Sequence, residues 1–139
     1  MRDPRVTALA QILVRHSTKV GEGDVCTIEG ESAAEPLLQA VYEEVLRAGG
    51  NPIVHMAMEG QSASYFEHAS DKQLEWISPV AEWAVENADV RIAVMASQNT
   101  RALSQVPPER QAKRQAATQK LMKRAMERSA RRPADWRRS

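Results

Sequence analysis

The sequence predicts an α/β fold: a small three-layer, Rossmann-like domain with a short parallel sheet of about three strands flanked by helices, plus a long basic C-terminal helix. Three observations lead there. Short β-branched runs recur at Val25-Cys26-Thr27-Ile28, Pro52 to Met58 and Val90 to Ala96. Segments with apolar residues at three- and four-residue spacing stand between them. The resulting order of helix, strand, helix, strand, helices, strand implies βαβ units with right-handed crossovers.

The first helix opens with Asp3 as N-cap and Pro4 as first helical residue, places Val6, Leu9, Ala10, Leu13 and Ser17 on one face, and runs to about Lys19. Gly21 and Gly23 break it, and Asp24 leads into strand one, Val25 to Ile28, bounded by Gly30. Ser32 and Glu35 have capping-box spacing ahead of helix two, with Pro36 in its first turn. Leu37, Leu38, Val41, Tyr42, Val45 and Leu46 form the apolar stripe of that helix, and Gly49-Gly50 ends it. Strand two follows from Pro52 to Met58. Two shorter helical patterns come next, one at Ser64 to His68 and one opened by Asp71 with Leu74, Trp76 and Ile77. Ser78-Pro79 restarts a helix bearing Val80, Trp83 and Ala84, and strand three begins at Val90. Beyond the turn at Ser97, Pro107-Pro108 sets the start of a helix from about Glu109 to Ser129, whose narrow stripe of Ala117, Leu121, Met122, Ala125 and Met126 suits packing on one side only.

A chain of 139 residues is most simply one domain, here assigned to residues 1–130 with 131–139 as tail or linker. Residues 1–100 carry seven Lys/Arg against fifteen Asp/Glu, a balance of −8, and residues 101–139 carry twelve against three, a balance of +9, which together give the net +1. The basic segment therefore serves either a polyanion or an acidic protein surface, or is a solvated helix. Only Trp136 within it is an aromatic able to stack on a base, so nucleic acid is the less favoured partner. No signal segment or membrane span is recognisable, and a cytoplasmic protein is the default expectation. The lone Cys26 reads as a small strand hydrophobe.

In open α/β sheets ligands sit beyond the carboxyl ends of the strands, which singles out Glu29, Glu31, Glu59, Gln98, Asn99, Thr100 and Arg101 as crevice-lining candidates. The carboxylates among them have general acid/base or cation-holding chemistry, and they are also ordinary loop and capping residues. Gly21 and Gly23 precede strand one, whereas a phosphate-cradling glycine motif follows a strand and opens a helix, so dinucleotide binding of that kind is not expected. His16, His55 and His68 have no second ligand at metal-site spacing, and no serine sits in a nucleophile elbow. No catalytic or metal-binding residue is assigned.

Several segments nonetheless resemble the N-terminal domain of the thermophilic metallo-aminopeptidase family: Asp3-Pro4-Arg5-Val6 before a leucine-bearing helix, Val20-Gly21-Glu22-Gly23-Asp24 before strand one, Ala33 to Gly49, Ala69 to Leu74, and Asn99-Thr100-Arg101-Ala102-Leu103 trailed by Pro107-Pro108-Glu109-Arg110. They keep family order from residue 3 to about 128, while Arg131 to Trp136 departs from the pattern. The resemblance implies a peptide substrate, a pair of divalent ions (zinc, cobalt or magnesium) that activates water, and a homodimer enclosing the active site. It also implies that the Glu, His, Tyr and Asp ligands lie in a larger C-terminal domain. The expectation is then a non-catalytic N-terminal domain, inactive alone, with a stand-alone interaction module or a polyanion binder as the alternatives.

Overall fold

The computed structural model describes residues 3–94 and 105–131, with side chains to 127. These residues form an α/β structure with three parallel strands in one sheet, and they divide into two compact units, 3–59 with 87–94, and 60–86 with 105–131.

In the first unit, helix α1 (Pro4–Gln11) starts as the sequence predicts. The Asp3 carboxylate accepts the Arg5 backbone N–H at 2.9 Å, and that bond together with the Arg5 guanidinium holds the carboxyl below its ordinary range. Instead of continuing as regular α-helix to Lys19, the chain widens into a π-type turn at Ile12–Ser17, closed where the Thr18 hydroxyl donates to the Leu13 carbonyl at 2.8 Å. Strand β1 (Val25–Glu31) extends three residues beyond the β-branched run. The physical reason is its central place: it pairs with β2 (Asn51–Ala57) across all seven positions and with β3 (Val90–Val94) from Cys26 to Gly30, so two ladders hold Glu29, Gly30 and Glu31 extended despite their weak strand preference.

The sheet order is β2-β1-β3. Alternation places Cys26, Ile28 and Gly30 on one face with Pro52, Val54, Met56, Val90, Ile92 and Val94. Helix α2 (Glu35–Arg47) covers that face, and a Cβ added to Gly30 would meet Leu38 Cδ2 at 2.8 Å, so the glycine admits the helix closely. The Ser32–Glu35 capping box is not formed. Ser32–Ala34 make a 3₁₀ turn and Ala34 takes the N-cap position without a side-chain bond. On α2, Leu38, Ala40, Val41 and Val45 are buried against Ala10 and Val14, whereas Tyr42 and Leu46 lie exposed and Glu44 is buried in their stead. Gly49, at φ 88°, supplies the left-handed residue that ends the helix. Pro52 is tolerated because β2 is an edge strand. The Asn51 N–H donates inward to the Asp24 carbonyl at 2.7 Å, so the next residue's missing N–H falls on the open side. At the other edge, Asp89 fastens the approach to β3 by accepting the Val25 N–H at 2.9 Å and donating its own to the Val25 carbonyl.

The second unit comprises α3 (Gln61–His68), α4 (Asp71–Glu75), α5 (Pro79–Asn87) and α6 (Pro108–Arg131), each near its predicted place. Helix α4 starts on a capping box absent from the sequence-based expectations: Gln73 N–H donates to Ser70 Oγ at 3.2 Å, and Ser70 N–H to Gln73 Oε1 at 2.8 Å. The end of strand three at Met95 and Ala96, the turn from Ser97 to Leu103 and the tail from Arg132 to Ser139 lie outside the described residues.

Candidate functional site

Glu31 ends β1, in register with Ala57, and Glu59 follows two residues beyond Ala57, so both carboxylates stand at the carboxyl edge of the sheet. Glu29 does not follow the strand as expected; it lies within it. The second ladder fixes its place, and its carboxylate takes a two-pronged bond from Arg91 on β3, Nε to Oε1 at 3.2 Å and Nη2 to Oε2 at 2.9 Å. His55 is in register with Glu29 on the other neighbouring strand, whereas Arg91 is in register with Thr27 and reaches Glu29 diagonally, all on the sheet face opposite α2. Gln98, Asn99, Thr100 and Arg101 lie outside the described residues.

A metal pair is tested by its donor set. His16 stands on the π-type turn, His55 on β2 and His68 at the end of α3, all exposed, and among the described residues only His68 has an acidic neighbour in contact, Glu67 at 3.8 Å. Among the described residues no group of three or more His, Cys, Asp or Glu converges. Such a set does not fit a hydrolytic metal pair, which needs several N or O ligands on each ion. Cys26 is no substitute: its thiol is fully buried, and desolvation first, then the charge of Asp24, push it up to about 12.

The basic helix is committed differently from what charge density suggests. Arg110 donates to the Phe66 carbonyl through Nε (3.0 Å) and Nη2 (2.7 Å), and through Nη2 to Ala69 at 2.6 Å. One turn later Arg114 donates to Leu74 at 3.2 Å and Trp76 at 2.6 Å, with its guanidinium 5.3 Å from the Tyr65 ring centre. These carbonyls belong to the last turns and C-caps of α3 and α4, the ends a helix leaves unpaired and slightly negative. Lys113 pairs with Asp71 and Glu75, and Arg124 with Glu86. Spacing on α6 alone carries no sign of this role, because the acceptors are backbone atoms about forty residues away.

Comparison with known proteins then assigns the family. The family model described as thermophilic metalloprotease (M29) matches residues 2–138. The chain belongs to this family. No curated protein matches it. Among solved structures, wild-type AmpT from Thermus thermophilus is similar, with a TM-score of 0.70 and 21% sequence identity over 89% of this chain. At that identity the likeness is one of fold. The matched region is 32% of the AmpT chain, so the M29 segment described here spans about a third of that relative's length. No helix among the described residues is long and apolar enough to cross a membrane.

Proposed function

We propose that this chain is the N-terminal domain of a metal-dependent aminopeptidase that removes N-terminal residues from peptides, and that residues 1–139 are inactive on their own. One observation carries the proposal: membership of a metalloprotease family along residues 2–138 coexists, among the described residues, with a donor set unable to hold a metal pair. In this reading the divalent ions, zinc, cobalt or magnesium, are bound by residues outside the chain, and the Rossmann-like domain of residues 1–130 walls a chamber. Glu31 and Glu59, together with Gln98, Asn99, Thr100 and Arg101, face the peptide there, while Glu29 keeps β1 and β3 in register through Arg91. The assembled enzyme is taken to be a cytoplasmic homodimer.

The test is an assay of the purified chain with cobalt, zinc or magnesium and a leucyl dipeptide. No leucine is released if the proposal holds, and metal-dependent release overturns it. Polyanion binding through α6 is disfavoured by the bonds that commit Arg110 and Arg114. An interaction module gains support from Trp76 and Val80, which leave 62% and 65% of their surface in solvent. Light scattering on the isolated chain separates the two, since self-association through such a surface raises the mass and a monomeric domain does not.

A further inference from the structure

Where α1 widens into its π-type turn, it faces α2 across a depression of about 500 Å³ lined by Gln11, Arg15, His16, Glu44 and Arg47. Its floor is a charge. Glu44 keeps only 3% of its side chain in contact with solvent, and a carboxylate so buried is costly without cationic partners. It has two: Arg15 Nε lies 3.6 Å from Oε2, and Arg47 Nη1 lies 2.5 Å from Oε1.

How those contacts are made decides what remains. Each guanidinium spends a single nitrogen on Glu44, so Arg15 retains its Nη1/Nη2 edge and Arg47 its Nε/Nη2 edge. Among the described residues neither arginine has a second partner, and the His16 imidazole and Gln11 carboxamide have none. The lining therefore holds two cations against one anion, with two intact guanidinium forks, an imidazole and an amide around one hollow. Half of each arginine side chain is exposed, 48% and 56%, so the forks are open to solutes. A carboxylate has two oxygens and is satisfied by one fork. Two forks with two further polar groups suit an anion with more oxygens, disposed tetrahedrally. The π-type turn that bears Arg15 and His16 is itself a rare geometry, found often at functional sites.

We propose that this depression is a phosphate-binding site, with Glu44 acting from below to hold Arg15 and Arg47 in place for the ligand. Such a site lies apart from the carboxyl edge of the sheet and does not depend on the peptidase reading.

The experiment is a ¹⁵N–¹H NMR titration of the whole 139-residue chain with inorganic phosphate, ionic strength being held constant with chloride. Saturable shifts are expected at Gln11, Arg15, His16 and Arg47. Arg47→Gln should weaken the affinity at least about tenfold, the worth of a hydrogen bond to a charged group. Because that substitution also removes a partner of the buried Glu44, the deciding variant is Gln11→Ala/His16→Ala, which leaves both ion pairs intact. It should weaken phosphate by about threefold or more with an unchanged Tm. Acetate should bind at least about tenfold more weakly than phosphate. Shifts that never saturate, shifts that chloride reproduces, wild-type affinity in the double variant, or acetate matching phosphate would each overturn the site.

Discussion

In the unit built on the sheet, Val14, Ile28, Val41, Val45 and Val90 are sealed from solvent and packed into one apolar cluster. In the unit built on α6, Leu74 is the one buried hydrophobic residue among those described. Its helices are tied instead by arginines on carbonyls, a Tyr65 hydroxyl donating to the Gln73 carbonyl at 2.8 Å, and exposed ion pairs. The first kind of cohesion is non-directional and tolerates shape-conserving exchange. The second depends on individual donors, so deleting one leaves particular carbonyls without a protein partner.

Core substitution should separate the two most sharply. Ile28→Ala removes the largest fully buried side chain on the central strand and should cost about 2–5 kcal/mol, seen as a lower urea midpoint for loss of sheet structure. A cost below about 1 kcal/mol would show that the core is loosely packed. The same dryness governs Cys26. With its thiol pushed up to about 12, the thiolate fraction near neutral pH falls about a thousandfold below that of an ordinary cysteine at 9.0. Thiol reagents should leave the folded chain unmodified. The sign of the pH effect follows, because a raised folded value means stability is fully present below about 9 and declines as pH rises toward about 12. Rapid labelling of native protein would show that the strand opens readily.

For the second unit the corresponding cut is Arg114→Ala, which frees the Leu74 and Trp76 carbonyls and removes the cation over Tyr65. These bonds are partly exposed, so the expected loss is about 1–2 kcal/mol rather than that of a buried charge. Hydrogen exchange should quicken at amides of α3 and α4 while those of β1 keep their protection. Unchanged exchange at residues 61–76 would mean that the arginine contacts contribute nothing to holding these helices.

How far each unit was legible in the sequence follows the same division. Apolar pattern located all three strands and helices α1 and α2, since burial of one face leaves a period that a sequence displays. It failed where tertiary pairing overrides local preference: Glu29 to Glu31 are strand because β1 is central, and Tyr42 and Leu46 are outside while Glu44 is inside because two arginines neutralise it. Pro52 was an unused sign of an edge strand. The polar ties of α6 had no periodic signature, and its charges read as solvated or polyanion-binding until the carbonyl partners of Arg110 and Arg114 were seen. Of the candidate crevice, Glu59 was legible where the apolar run of β2 gives way to acid, whereas the end of β1 was read at Ile28 and lies at Glu31.

The smallest effect is also the most local. Helix α4 has five residues, too few to persist by propensity, since nucleating a helix costs more than one turn returns. Its start depends on the reciprocal bonds between Ser70 and Gln73. Ser70→Ala should cost about 1 kcal/mol and speed exchange of the Gln73 and Leu74 amides, whose acceptors are Ser70 Oγ and the Ser70 carbonyl. The combination with Arg114→Ala is more telling than either change. Both substitutions act on one short helix, the cap at its beginning and the guanidinium at its end, so the combined loss should fall short of the sum of the single losses, because either change alone already forfeits part of the ordering they share. Strict additivity in a double-mutant cycle would mean that the two ends of α4 are ordered independently, and that polar ties in this unit act one by one.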